Sequence, residues 1–174
     1  MTFLYILGAL VIAIVLLLFI ALFLPNGYFI EKSAIIQKPC DFVMEKVADF
    51  HNYALWNPWQ QKDPDTKSNI TGTPKRPGHK FSWRSKKAGV GSLTLRDIDN
   101  KHVHFDLEFI KPLKTRARDN WLFEEWGNGE TKVTWQDFGA LPYPLGRLMG
   151  YMLHRNLNRS FTEGLNNLKK LCER

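Results

Sequence analysis

Residues 144–173 read PLGRLMGYMLHRNLNRSFTEGLNNLKKLCE, and this stretch decides the fold. Leucine, methionine and phenylalanine recur at every third or fourth position from Leu145 to Leu171, while the arginines occupy other positions. This spacing predicts one long amphipathic α-helix that begins at Pro144 and buries one side. Because such a helix needs an extended apolar surface to pack against, the rest of the sequence has to supply one.

The sequence before this helix alternates between apolar and polar residues, as strands do. The clearest case is HVHFDLEFI (102–110), in which every second residue is apolar. Further strands are predicted at 27–37, 68–72, 78–85, 89–98, 115–126 and 126–138. Asn128-Gly129 is a strong hairpin signal between the last two. The order predicts an α+β fold, in which the long helix covers one face of an antiparallel sheet of about seven strands.

Between the first two strands the pattern changes. KPCDFVMEKVADF (38–50) has its apolar residues on one helical face. YALWNPWQQKDPD (53–65) follows, and Pro58 and Pro64 exclude a continuous helix or a central strand there. Two explanations remain open for Trp56 and Trp59 in this corner: core packing, or a ring that lines a ligand cavity.

The N-terminal segment has a different composition. No charged side chain precedes Glu31, and the 22 residues 3–24 are almost wholly apolar. At about 1.5 Å per residue they span roughly 33 Å, enough for a bilayer core. A secretory signal peptide is the alternative, but a basic start and a cleavage motif are missing. We therefore predict a membrane anchor with a short linker at 1–27, in a single-pass membrane protein.

All charged side chains lie within residues 31–174, where 24 basic and 17 acidic groups give +7. A basic domain next to a bilayer favours anionic headgroups or anionic ligands as partners. No nucleic-acid-binding motif accompanies the charge, so we predict no nucleic-acid partner. Lys32 and Lys38 follow the anchor, which favours a cytoplasmic domain. Cys40 and Cys172 show no metal-ligand spacing, and whether they pair is left open.

Four segments carry a resemblance to a known superfamily: IIQKPCDFVMEKVADFHNYALWNPW (35–59), GHKFSWRSKKAGVGSLTL (78–95), TKVTWQDFG (131–139) and SFTEGLNNLKKLCE (160–173). In this order they resemble the START-like helix-grip domains of the SRPBCC superfamily, the polyketide cyclase/dehydrase and lipid-transport group. The resemblance implies a helix-grip domain at 28–174, with two short helices after the first strand. It also implies a cavity between the sheet and the long helix.

The resemblance and the strand phases together give the candidate cavity residues. They are Trp59, Trp83, Leu95, Phe105, Leu107, Phe109, Asp119, Trp121, Phe123, Trp135, Met149, Met152 and Leu153. Many of these positions are expected to be core rather than ligand contacts. Asp119 is in phase with the inward-facing rings, as is Glu125. Such a carboxylate either orients a polar ligand atom or acts as an acid or base with a raised pKa, unless it lies at the solvated rim.

Counting strand reversals predicts where the lysines of the turns lie. In a meander, alternate turns fall on the same edge of the sheet. Lys86 and Lys87 in one turn therefore share an edge with Lys111 and Lys114 in another. If the first strand pairs with the last, as in the superfamily, the anchor leaves from this edge. We predict that these four lysines face the bilayer.

No motif in the sequence identifies a reaction. His102 and His104 lie opposite the apolar face without a third metal ligand, and GVGS (89–92) is followed by a strand rather than a helix. We therefore predict no metal and no cofactor. The predicted function is membrane-anchored binding of a hydrophobic or amphipathic small molecule, a lipid. The alternative is a cyclase/dehydrase-like enzyme on the same scaffold, acting on a polyketide-like or lipid-like substrate.

Overall fold

The computed structural model describes residues 1–174. The elements in chain order are α1 (Thr2–Phe23), β1 (Gly27–Ile36), α2 (Cys40–Ala48), α3 (Tyr53–Trp56), α4 (Pro58–Lys62), β2 (Lys67–Thr71), β3 (Lys80–Ser85), β4 (Gly89–Ile98), β5 (His102–Lys111), β6 (Thr115–Trp126), β7 (Glu130–Ala140) and α5 (Leu145–Cys172). The predicted α+β fold with a seven-stranded antiparallel sheet is confirmed, as are the long C-terminal helix and the apolar N-terminal helix.

The sheet has the order β1-β7-β6-β5-β4-β3-β2, and every neighbouring pair is antiparallel. Its inner face carries the rings that pack against α2–α5, and its outer face carries mainly polar side chains. The first strand pairs with the last, so that Gly27 lies beside Ala140. One edge of the sheet, formed by strand ends and not by a side strand, therefore contains the ends of β3, β5 and β7 and the starts of β1, β4 and β6. We call it the anchor-side edge, because α1, the predicted anchor, leads into β1 there.

Three short helices follow β1, not two. Asn57 ends α3 and begins α4: its side-chain oxygen accepts hydrogen bonds from the amides of Trp59, at 2.9 Å, and Gln60, at 3.2 Å. Pro58 takes the first position of α4, where its missing N–H costs nothing. The break turns Trp56 into the core, where it is fully buried and donates through Nε1 to the Lys46 carbonyl at 3.0 Å.

The two halves of α5 differ in how they pack. In the second half Phe161, Leu165 and Leu168 are buried, and Gly164 allows the Trp135 ring to lie directly against the helix backbone. In the first half the sheet side of the helix carries Leu153 and Leu157, which are only partly covered. Met149 and Met152, 50% and 52% exposed, lie about 120° and 180° around the helix from Phe161 and point away from the sheet. The sheet and the short helices therefore cover the second half more completely than the first.

The N-terminal helix α1 lies almost wholly outside the packed domain. It is long and apolar enough to cross a membrane, a test that a signal sequence also passes. Its C-terminal part contacts the chain around the start of α5: Tyr143 donates to the Leu18 carbonyl at 3.1 Å, and Arg147 Nη1 lies 3.4 Å from the carbonyls of Ala21 and Leu22. Arg147 meets carbonyl groups that a helix C-terminus leaves unpaired, and its charge favours the negative end of the helix dipole.

Candidate ligand-binding cleft and buried carboxyl pair

The inner face of the sheet is closed at its centre by a stack of aromatic rings. Trp121 and Trp135 are cross-strand partners whose ring centroids lie 4.4 Å apart. Phe161 from α5 stacks on Trp135 at 3.9 Å, and Trp56 meets both tryptophans edge to face. This part of the space between sheet and helix is filled by protein.

Toward the anchor-side edge, the side chains between the sheet and α5 become smaller. The outermost inner-face row across β1, β7, β6 and β5 is Tyr28, Gly139, Ala117 and Leu107, with two very small residues at its centre. Four residues of helix and two residues of strand each advance about 6 Å. Because Phe161 lies over Trp135, Leu157 and Leu153 of α5 fall about level with the next two rows. We call the space between this end of the inner face and the first half of α5, residues 145–157, the open cleft.

A pair of acidic residues lies where the closed part meets the open cleft. Asp119 and Asp137 are cross-strand partners on β6 and β7, one row inward from Ala117 and Gly139. Both are buried, and we call them the carboxyl pair. Asp119 accepts hydrogen bonds from the indole nitrogens of Trp121 and Trp135, each at 2.7 Å and each to a different oxygen. The tryptophan stack therefore holds this carboxyl in one orientation.

The second member of the pair has no such support. Neither carboxyl oxygen of Asp137 has a hydrogen-bond partner of ordinary geometry. Tyr28 is close enough to interact electrostatically with it. Burial raises the pKa of Asp119 to about 8, helped by the charge of Asp137, and burial raises the pKa of Asp137 to about 6. Since two adjacent buried carboxyls resist double ionisation, the pair shares a proton near neutral pH.

The structure distributes the predicted cavity residues over three environments. Five are core side chains without an exposed surface: Leu95, Phe105, Trp121, Phe123 and Trp135. The partly covered ones are Trp59, Trp83, Leu107, Phe109 and Leu153, and the half-exposed ones are Met149 and Met152. Asp119 is buried, whereas Glu125 is exposed near the opposite end of β6. Ligand contact by any of them stays a prediction.

Sequence reasoning missed Asp137 and Tyr28. Asp137 is in phase with Trp135 on β7, and this signal was available in TKVTWQDFG. What the sequence could not provide is the register that places Asp137 opposite Asp119. Tyr28 stands at the first residues of β1, beside the predicted anchor, where nothing in the local pattern indicates an inward side chain.

The four predicted edge lysines are exposed, and they lie in the turns β3–β4 and β5–β6 of the anchor-side edge. Lys87 donates to the Lys62 carbonyl at 3.1 Å. Apolar side chains stand among the lysines, since Ile110 and Leu113 are about half exposed. The edge thus combines positive charge with uncovered apolar surface.

Two groups of histidines contain residue types that can bind a metal ion, but their ring nitrogens are engaged in hydrogen bonds with neighbouring groups. Asp49, His51 and His79 lie close together, but both ring nitrogens of His79 are already used. Its Nε2 accepts from the Phe50 amide at 3.1 Å, and its Nδ1 pairs with the Thr71 carbonyl at 3.2 Å. A neutral imidazole engaged on both sides has no lone pair left for a cation.

The outer-face histidines are likewise engaged with neighbouring side chains. His102 pairs with Asp99, and His104 pairs with Asn120 at 2.9 Å.

A depression of about 700 Å³ lies toward the anchor-side ends of β4, β5, β6 and β7, and its lining combines outer-face side chains with Tyr28, Leu107, Ala117 and Gly139 of the inner-face row. Its charged side chains are already paired, Arg116 with Glu108 at 3.0 Å and Arg118 with Asp106. Such a surface leaves no free charge to recognise a ligand. The open cleft with its unpaired carboxyl is the better candidate.

A long helix laid over an antiparallel sheet, with an interior that is closed at the centre and open at one end, defines a helix-grip domain. The chain belongs to the family described as polyketide cyclase / dehydrase and lipid transport, which it matches over residues 30–173. No curated protein matches the chain in sequence.

Solved structures share the fold at low sequence identity. The Zhui aromatase/cyclase from a Streptomyces strain is 18% identical with a TM-score of 0.64, covering 86% of this chain and 95% of that one. A protein from Chromobacterium violaceum is 14% identical with a TM-score of 0.62, covering 84% of this chain and 97% of the other. A protein from Mesorhizobium loti is also 14% identical, with a TM-score of 0.62 and coverage of 83% and 96%.

Proposed function

We propose that the protein binds a hydrophobic or amphipathic small molecule, a lipid, in the open cleft while α1 anchors it in a membrane. One observation carries the proposal: the side of α5 that is buried against the sheet in the second half is only partly covered in the first half, where Leu153 and Leu157 lie about level with the small residues at the anchor-side end of the sheet. Exposed apolar surface lined by partly covered rings is typical of a binding groove. The description of the family, which includes lipid transport, supports the same class of ligand.

The position of the anchor supports a lipid in particular. The contacts of Tyr143 and Arg147 with the last turn of α1 connect the anchor to the open end of the domain. In a bilayer this arrangement would bring the lysines of the anchor-side edge to the headgroups. Each lysine near an anionic surface contributes on the order of 1 kcal/mol. A lipid could then enter the cleft without crossing water.

The test is solvent extraction and mass spectrometry of the full chain purified from membranes. We expect a discrete lipid, and we expect Leu107→Trp to abolish its recovery while the cooperative melt is kept, because a tryptophan in the outermost inner-face row occupies the cleft. Tyr151→Trp is the control, since Tyr151 is 82% exposed. Unchanged lipid recovery from Leu107→Trp would contradict the proposal.

The anchor itself is tested by fractionation. If residues 1–27 are kept as anchor and linker, the protein should remain in the membrane pellet after carbonate and high-salt washing. Protease added to sealed vesicles should reach the domain only from the cytoplasmic side. A mature chain that begins just after the apolar helix would show that the segment is a signal peptide.

A second candidate function is catalysis on the same scaffold, and the carboxyl pair is the observation that favours it. Two carboxyls that share a proton beside a ligand space can serve as general acid and base. An enzyme of the cyclase/dehydrase type would convert a polyketide-like chain, and Asp119→Asn would abolish that turnover while binding persists. Mass spectrometry of reaction mixtures distinguishes the two functions.

A further inference from the structure

The starting point is a buried acidic group whose hydrogen-bonding capacity is unused. Asp137 is 2% exposed, and neither of its carboxyl oxygens is paired. An unpaired buried polar group costs free energy, and nearly all such groups in folded proteins find a partner. The partner of Asp119 is the tryptophan stack; Asp137 has only the nearby Tyr28 hydroxyl, which offsets part of the rise that burial causes in its pKa without forming a hydrogen bond of ordinary geometry.

The surroundings of Asp137 indicate where a partner would come from. On one side it faces Asp119, and on the other it faces Ile30 of β1. The row next to it, toward the open cleft, contains Gly139 with the Tyr28 ring directly over it: a Cβ on this glycine would approach Tyr28 Cε1 to 3.1 Å. The phenol of Tyr28 and the carboxyl of Asp137 thus meet at the inner end of the cleft.

The chemistry of this end restricts what can bind there. Each oxygen of Asp119 already accepts an indole hydrogen, so both are engaged by the tryptophans. Asp137 offers two unpaired oxygens as acceptors, and the Tyr28 phenol offers a donor and an acceptor. A ligand hydroxyl can donate to one and accept from the other, whereas an ether only accepts. An ammonium group only donates, and its burial would add the cost of desolvating a full charge.

We propose that Tyr28 and Asp137 bind the hydroxyl group of an amphipathic ligand whose apolar part lies in the open cleft under the first half of α5. This rests on the proposed binding function and adds the polar group that the ligand must carry. The tryptophan-bound Asp119 acts as the support that fixes the pair. Hydroxyl recognition at a buried site discriminates well, because an analogue without the group leaves the site's polar atoms unpaired.

The test compares two probes on the full chain in lipid nanodiscs. One is a decanol carrying a photoreactive diazirine in its chain, and the other is the methyl ether of the same molecule. Labelled peptides are located by mass spectrometry, and the probe concentration that gives half-maximal labelling is measured. We expect saturable labelling of α5 by both probes, with the alcohol half-saturating at an about tenfold lower concentration.

Variants assign the preference to the two residues. Tyr28→Phe and Asp137→Leu should each bring the alcohol-to-ether ratio close to one while ether labelling stays the same. Asp106→Leu on the outer face is the control and should keep the preference. Because Tyr28→Phe removes only one oxygen, it keeps the test valid if Asp137→Leu does not fold.

The outcomes separate the two proposals. Saturable labelling with equal affinities in the unaltered protein would overturn the hydroxyl site and keep the binding function; water would then be the partner of Asp137. A preference that survives both Tyr28→Phe and Asp137→Leu would also overturn it. The absence of saturable labelling by either probe would overturn the binding function itself.

Discussion

The two halves of α5 have similar apolar spacing and different surroundings. From Phe161 onward the sheet side of the helix is buried against Trp135 and Pro58, whereas in the first half the sheet side carries Leu153 and Leu157, which are only partly covered. The cause lies outside the helix, since α3 and α4 place their rings over the centre of the sheet and stop there. The second half of α5 contributes most of the packing that stabilises the domain, and the first half borders the open cleft. An amphipathic pattern therefore specifies which side of a helix is apolar without specifying what covers it.

The sharpest test of this difference replaces one side chain by alanine in each half of the helix. Phe161→Ala should lower the free energy of unfolding by about 3–5 kcal/mol, because it removes a ring that is 2% exposed and leaves a cavity beside Trp135. Leu153→Ala should cost less, about 1–2 kcal/mol, since this sheet-side leucine of the first half is only partly covered. Urea denaturation followed by circular dichroism measures both values. Similar losses would mean that the first half of α5 is packed like the second.

The next largest effect concerns the carboxyl pair between the two halves. Because the folded-state pKa values of Asp119 and Asp137 are raised, to about 8 and about 6, the folded protein holds a proton that the unfolded chain releases near pH 4. The stability that comes from this proton is complete below about pH 4 and is lost as the pH rises through the folded-state values.

For one shared proton the loss between pH 6 and pH 8 is about 2 kcal/mol. Denaturation curves at closely spaced pH values should show this decline in the unaltered protein. Asp119→Asn should flatten most of it, because burial of this carboxyl is the first cause of the higher pKa, while Asp106→Leu should keep it. A stability that is flat over this range, or that increases, would show that the pair is ionised or solvated in the folded state.

Much of this fold could be predicted from the sequence. The period-two pattern of β5, the Asn128-Gly129 turn and the threefold and fourfold spacing in α5 are local signals, and each corresponds to an element of the structure. The number of short helices was wrong by one, because Asn57 and Pro58 split the tryptophan corner into two single helical turns. That outcome depends on a cap and on the burial of Trp56, which a pattern does not show.

The candidate site was less predictable, for a physical reason. The carboxyl pair arises from strand register: Asp119 and Asp137 are 18 residues apart in the chain and adjacent only because β6 pairs with β7 as it does. The open cleft arises from where α3 and α4 end. The alternation of side chains along β6 indicated that Asp119 and Glu125 both point inward. Their positions along the strand decide that Asp119 is buried and that Glu125 is exposed.

A third test asks whether the open end also faces the membrane. An anchor-free fragment that begins near Tyr28 is expected to be soluble and folded, and to sediment with liposomes containing anionic lipid. Reversing Lys86, Lys87, Lys111 and Lys114 to glutamate should weaken this association at least tenfold, or about 1.4 kcal/mol, at low salt.

The control for this test changes the same number of charges elsewhere. Lys38, Lys101, Lys132 and Lys170 lie away from the anchor-side edge, and reversing them should have a smaller effect. Sedimentation at two ionic strengths measures both sets. Equal losses would mean that net charge alone drives the association and that the open end has no preferred orientation.

The smallest expected effect concerns the contact between α1, the proposed anchor, and the open half. Arg147 Nη1 lies 3.4 Å from the last carbonyls of α1, and the Leu141 amide donates to the Asn26 carbonyl at 2.7 Å in the linker. Since a charge at a helix end contributes roughly 0.3–1 kcal/mol, Arg147→Ala should loosen this connection without unfolding the domain. The measurement is hydrogen exchange of the full chain in nanodiscs, in which the Leu141 amide should exchange about threefold faster, as expected for about 0.7 kcal/mol of lost protection. Arg155→Ala, on an exposed position of the same helix, is the control and should leave this amide unchanged. If Arg147→Ala has no effect on the linker, the anchor and the open cleft are joined by chain connectivity alone, and the cleft is free to turn away from the bilayer.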